Sequence, residues 1–430
     1  MRPGLLRTRE HLGSAAIVTG AKAIGGVSIV ALNIWVARHL PPAAYGMFAL
    51  ASTGMLLIDG VVGSALDAAV VGTTAEVPAS QTTGAERAGA VLKGAAGGAA
   101  LAAVPPIALL VAGPAAATAA ALACLAGAGL LLHRSVLVYF QLRERFASYG
   151  AVDLAHTAAR WACVALVIGG GATSAAPVIA AYATAPWCVV VVVVVAGRIG
   201  GHRAAAISRR DFAAVTRLAS TAVATTGVGA VVARLDLLLL GFVGASQQAG
   251  VLAAASTVAL APTWLGAYLA PVFSGRILPY CRERRLRTFF RDVQTGLLAL
   301  AIVGMTVGVV AGPLLVARLL PPSYAEAGGV VPVLLVAGVA GFFTFPLVLH
   351  TLLFLSPRTY LVMDLVSLPI LVVLYVVAAR RSGALGVAWI TAVSAAVKAV
   401  IAHAAAATAI HREEARYAGL TAFAGAGALR

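Results

Sequence analysis

Asp59, Arg160 and Lys398 each lie near the centre of a long apolar run, where an ionised side chain is costly to hold. If those runs cross a bilayer, each charge costs on the order of 2.5–3.5 kcal/mol on insertion scales, roughly 8–10 kcal/mol for three facing lipid. Such groups should instead face a wet cavity or one another. Two cations at mid-depth suit an anion, because a guanidinium grips phosphate oxygens through paired donors and a desolvated ammonium adds a point charge. A phosphate-bearing lipid headgroup fits that chemistry. The structural alternative is an ion pair of Asp59 with Arg160 or Lys398, which leaves a transport role open.

Further charges lie shallower: Lys22, Asp67, Arg134, Asp153 and Asp364 toward one side, and Arg234 with Asp236 toward the other part of the seventh run. For Asp67, Arg134, Asp153 and Asp364 the expectation is snorkelling to the interface or structural pairing. Asp153 and Arg160 are seven residues apart, two helical turns, and share one helix face about 10 Å apart along the axis. Arg234 and Asp236 are two apart and point away from each other. The candidate substrate-binding set is therefore Arg160, Lys398, Arg234 and Lys22, with Asp59 and Asp236 as candidates for ion coupling. No G-x-x-x-x-G-K-[ST], H-E-x-x-H or G-x-S-x-G motif and no Cys/His metal spacing is present, so no catalytic residue, metal or cofactor is expected. The chain reads as a non-enzyme. His133, His350 and His403, near the ends of apolar runs, read as interfacial.

Composition decides which elements must hold these groups. Of 430 residues, 61% are hydrophobic and 11% charged, with mean hydropathy +0.97, against about 45–50% and 25% in soluble domains. That is about 262 apolar residues, and at about 20 per crossing of a hydrocarbon layer they fill about a dozen spans. Unbroken runs such as Cys188 to Ala196 argue for helices over alternating barrel strands. The expected fold class is an all-α integral membrane protein with about 12 transmembrane helices in two six-helix bundles around a central cavity. Expected spans are 14–36, 46–72, 92–112, 115–138, 151–171, 176–197, 218–243, 249–273, 294–317, 329–354, 361–379 and 385–410. The corresponding organisation is a bundle at 1–200, a linker at 201–217, a second bundle at 218–410 and a tail at 411–430.

The net charge of +16 comes mostly from basic residues in the termini and even-numbered loops, with Arg38, Arg318, Arg380 and Arg381 on the opposite side. These are topology signals rather than a nucleic-acid surface, and they place both termini in the cytoplasm. The apolar stretch after Arg2, Arg7 and Arg9 is too long for a signal-peptide core and reads as an uncleaved first span. Cys124, Cys163, Cys188 and Cys281 form no C-x-x-C pair and indicate no disulfide framework. Prolines inside spans, such as Pro105-Pro106, Pro186 and Pro369, and the paired glycines Gly25-Gly26 and Gly227-x-Gly229 mark sites of bending. Gly304, Gly308 and Gly312 share a face and predict close helix packing. A weak echo relates Ala37 to Gly46 after the first span to Gly241 to Gly250 after the seventh, implying two halves related by an axis along the membrane normal.

The stretch Val36-Ala37-Arg38-His39-Leu40-Pro41-Pro42-Ala43-Ala44-Tyr45-Gly46-Met47-Phe48-Ala49-Leu50 resembles the "ARhLgpaeyGlfaLa" pattern of bacterial polysaccharide-export flippases, which include O-antigen and teichuronic-acid transporters. Leu57 to Leu66 is similar to that family's second span, although Asp67 stands where a polar or basic residue is expected nearby. Arg234 to Gly241 is similar to its seventh span, and Ser382 to Trp389 to its turn into the last. The likeness covers nearly the whole chain and points to the multidrug/oligosaccharidyl-lipid/polysaccharide exporter superfamily.

The resemblance implies a flippase that moves an undecaprenyl-diphosphate-linked oligosaccharide from the cytoplasmic to the outer leaflet by alternating access. A negative-inside potential favours expelling anions by about 2.3 kcal/mol per charge per 100 mV. Implied partners are the lipid-linked glycan, membrane lipids, H⁺ or Na⁺ as coupling ion, and a glycan polymerase or glycosyltransferases. The implied location is the bacterial inner, cytoplasmic membrane. The alternative is a drug/cation antiporter of the same fold, which calls for an acidic cavity instead of midplane cations.

Overall fold

The computed structural model describes residues 3–74, 84–196 and 207–427, and these are helical with short connections. Residues 201–206 of the expected linker, Arg198 and the last three residues of the tail lie outside them. Six helices come first: α1 (Pro3–His39), α2 (Pro42–Thr74), α3 (Gly84–Ala112), α4 (Pro114–Leu142), α5 (Phe146–Gly169) and α6 (Ala175–Val195). Then follow α7 (Arg209–Val232, resumed at Leu235–Phe242), α8 (Ser246–Ala259 and Ala261–Arg282), α9 (Leu286–Leu319) and α10 (Pro322–Tyr324 through His350–Leu355). The last helical stretch, Pro357–Gly427, is folded at Gly383, whose φ of 55° and ψ of −139° are open to glycine without a Cβ clash. That turn divides it into α11 (357–382) and α12 (384–427).

Nine stretches of the described residues are long and apolar enough to cross a membrane, and the ninth, Arg358–Arg416, is doubled by the Gly383 turn. With the interrupted α7 and α8, the expected dozen passes are accounted for. Prolines start several helices where their missing N–H is harmless, as at Pro42 and Pro114. Large apolar side chains such as Leu110, Val195, Val373 and Val400 are exposed, as a surface solvated by lipid tails requires. Two single π-helical turns, Asp59–Gly63 in α2 and Phe345–Leu349 in α10, were not legible in the sequence. Such turns recur at functional sites.

Contacts divide the chain into two compact units, Met1–Gly250 and Val251–Arg430. The reading of the sequence placed α7 in the second half. In the structure its Val215 and Ala219 join Leu66, Ala69 and Val70 of α2, Ala88 of α3 and Val138 of α4 in one buried cluster of the first unit. In that unit α3 packs on α4, α4 on α6, and α5 on both α1 and α6. The indole of Trp161 in α5 donates to the Ser28 hydroxyl of α1 at 2.6 Å. In the second unit α10 packs against α9, α8 and the α11–α12 pair. Gly308 and Gly312 of α9 meet Leu335 and Val331 of α10 so closely that a Cβ on either would overlap them, the close packing expected of the stripe, whereas a Cβ on Gly304 would meet nothing within 4 Å.

The candidate functional site

Helix α5 buries Val152, His156, Arg160, Val164 and Ile168, a strict four-residue repeat that makes one inward stripe. Arg160 therefore points into the first unit and is 8% exposed. Its guanidinium lies 5.0 Å from the centre of the Tyr182 ring of α6, a cation–π contact. Its Nε has no hydrogen-bond partner, and among the described residues no carboxylate lies within ion-pair distance of it. One turn away on the same stripe, His156 stacks against His133 of α4 with ring centres 4.3 Å apart. Asp153, on the same side of α5, is half-buried and binds Lys22 of α1, Oδ2 to Nζ 3.3 Å. The ion pair ties α1 to α5 in the part of the unit that holds Arg160.

A second cluster lies in the same unit, at the π-turn. Arg134 of α4 donates through Nε and Nη2 to both carboxylate oxygens of Asp59, and through Nη1 to Asp67 at 3.0 Å. Lys93 of α3, 2% exposed, completes it by binding Asp67. Two carboxylates face one guanidinium and one ammonium, so the cluster is electrically balanced. Gly63 makes room for it: a Cβ there would lie 2.9 Å from Arg134 Cδ and 3.0 Å from Asp59 Oδ1. Asp59 was expected beside Arg160 or Lys398 if it served structure, but its partner is Arg134. Lys93 was missed, because a single lysine at the start of an apolar run resembles an interfacial anchor.

Lys398 lies in the second unit and donates to Asp364 Oδ1 at 2.6 Å, pairing α12 with α11. Asp364 is 1% exposed and its other carboxylate oxygen has no hydrogen-bond partner. The two cations expected to act together, Arg160 and Lys398, therefore differ: one stands without a carboxylate and the other is neutralised. Nearby residues on this unit's helices include His403, whose Nε2 lies 3.3 Å from Gln294 Oε1. Arg234 is half-buried at the break in α7, with φ of −124° and ψ of 5°. Asp236 is buried and accepts from the Leu237 amide at 2.8 Å.

No protein-family model and no curated protein matches the sequence. Solved structures do match its fold. A multidrug resistance MATE family transporter of the MOP superfamily, in an inward-facing conformation, superposes with a TM-score of 0.69 at 12% identity, covering 93% of this chain and 99% of that one. The lipid II flippase MurJ, in an inward closed conformation, also gives 0.69 at 12% identity, covering 94% of this chain and 90% of that one. A MOP superfamily transporter from Pyrococcus furiosus, described as having a binding pocket of reverse polarity, gives 0.57 at 12% identity over 93% and 96%. The expected all-helical class with about a dozen passes is found, and this chain shares its fold with those MOP superfamily proteins and with MurJ.

Proposed function

We propose that the protein is a flippase that carries a polyprenyl-diphosphate-linked oligosaccharide from the cytoplasmic to the outer leaflet by alternating access. The observation that carries this reading is Arg160, a buried guanidinium whose charge no carboxylate of the described residues offsets. In the intramembrane clusters of the first unit, Asp59 and Asp67 balance Arg134 and Lys93, and Asp153 balances Lys22. Arg160 is what remains, and a site with surplus positive charge selects an anionic group. The fold alone hosts both multidrug transporters and a lipid II flippase, so the sign of the charge decides between them. A drug/cation antiporter calls for an acidic cavity, whereas four of the buried or half-buried carboxylates, Asp59, Asp67, Asp153 and Asp364, are each engaged by lysine or arginine.

In this reading Arg160 holds the diphosphate while the lipid tail stays in the bilayer. Lys22, 41% exposed, is the nearby cation able to swing toward the cargo. Lys398 supports the fold through Asp364 instead of binding cargo. Asp236 is the coupling carboxylate if an ion is used, and both termini are cytoplasmic in a bacterial inner membrane. The test uses the full chain in vesicles containing a fluorescent polyprenyl-diphosphate oligosaccharide. Arg160→Ala should slow translocation at least tenfold and Arg160→Lys should retain part of it, while a cationic dye is not exchanged. Full translocation by the alanine variant, or dye exchange without lipid movement, overturns the proposal.

A further inference from the structure

His133 of α4 and His156 of α5 are 1% and 4% exposed. The Nε2 atom of each has no hydrogen-bond partner. An unsatisfied buried polar atom costs about 1–3 kcal/mol, and here two occur side by side. Asp153 precedes His156 by three residues, so its carboxylate projects from the same side of α5. One ligand atom from each of His133, Asp153 and His156 falls within a group whose members are all within 4.8 Å of one another.

We propose that His133, Asp153 and His156 form a binding site for a divalent transition metal ion of the Zn²⁺ class. Two imidazoles and one carboxylate are the ligand types such ions take with three protein positions and one open position. A carboxylate and a histidine at i and i+3 on one helix, facing a third ligand on a neighbour, is how helical bundles assemble such centres. Bonds of about 2.0–2.2 Å place tetrahedral ligand atoms roughly 3.3–3.6 Å apart, so metal entry draws the three side chains together by rotamer adjustments. Hard ions such as Mg²⁺ are excluded, because they favour all-oxygen shells.

Lys22 gives the site a built-in competitor. Its ammonium lies 3.3 Å from Asp153 Oδ2, so it competes with a metal cation for the charge of that carboxylate. The side chain is 41% exposed, and its ammonium also lies 5.4 Å from the centre of the Tyr149 ring, a cation–π contact it gives up on leaving. Arg160, one turn beyond His156, adds like charge and favours an anion or hydroxide as the fourth ligand. A metal ion on Asp153 and the Lys22 ammonium are like charges drawing on one carboxylate, so removing the ammonium favours the metal. The inference holds whatever cargo the transporter carries.

The test uses the full-length protein in nanodiscs, purified without a polyhistidine tag, stripped with a chelator and titrated with Zn²⁺ and with Co²⁺ as an optical probe. One Zn²⁺ should bind per chain, and Co²⁺ should show the intense visible absorption of a four-coordinate site. His133→Ala and His156→Ala should each weaken binding at least tenfold, and Lys22→Met should tighten it several-fold, because the competitor is gone. If a histidine variant does not fold, Lys22→Met still decides, since it leaves all three ligands in place. Binding well below one ion per chain, or an affinity that Lys22→Met leaves unchanged, overturns the proposal.

Discussion

Gly46 and Gly250 approach each other so closely that each blocks a side chain on the other's helix. A Cβ on Gly46 would lie 2.0 Å from the Ser246 carbonyl oxygen, and one on Gly250 would lie 1.9 Å from that of Pro42. Each clash is with the residue four positions before the opposing glycine, so the contact is reciprocal. The two segments are those whose resemblance in sequence is only faint, Ala37 to Gly46 and Gly241 to Gly250.

Backbone cannot rotate away as a side chain can. Gly46→Ala and Gly250→Ala should therefore each lower stability by about 1–3 kcal/mol, the range for overpacking a filled site. Gly98→Ala, where nothing lies within 4 Å, is the matched control and should be neutral or slightly stabilising. Thermal unfolding of purified protein in one detergent reads the difference.

The Asp59–Arg134 pair is held by two hydrogen bonds and sits beside Asp67 and Lys93. Asp59→Asn should destabilise by about 2–3 kcal/mol, below the 3–5 kcal/mol of a wholly buried pair, because Arg134 keeps 32% exposure. Adding Arg134→Gln should recover part of that loss. A double-mutant cycle on unfolding free energies measures the coupling, and a value near zero would mean that the pair is incidental.

Lys398 offers a clean discrimination between binding and scaffolding. Lys398→Ala leaves the Asp364 carboxylate, 1% exposed, without its cation, so protein yield and melting temperature should fall. Lys398→Met with Asp364→Leu removes both charges and should restore stability. Translocation by that double variant should match the unaltered protein. A stable double variant that fails to move lipid would show that Lys398 contacts cargo.

The Arg160 guanidinium lies over the Tyr182 ring, 5.0 Å from its centre. Tyr182→Phe keeps the ring and should leave translocation close to normal. Tyr182→Leu removes an attraction worth about 0.5–2 kcal/mol, loosening Arg160, and should raise the half-saturating lipid concentration more than it lowers the maximal rate. Initial rates across a range of lipid loadings separate the two effects.

Sequence alone determined the solvent and the periodicity. A chain 61% apolar had to be a bundle of spans, and the glycine stripe of α9 had to lie against a neighbour. The seven-residue spacing of Asp153 and Arg160 put both on one side of α5. Partnership was decided only by the tertiary structure, because a helix repeat is local whereas the contact that satisfies it is not. Asp59 found Arg134 from 75 residues away, and α7 settled on the first unit because Val215 and Ala219 fill its apolar cluster. Asp153-x-x-His156 is written in the chain. It became a possible ligand set when helix packing, where small residues let backbones come close, brought His133 against it.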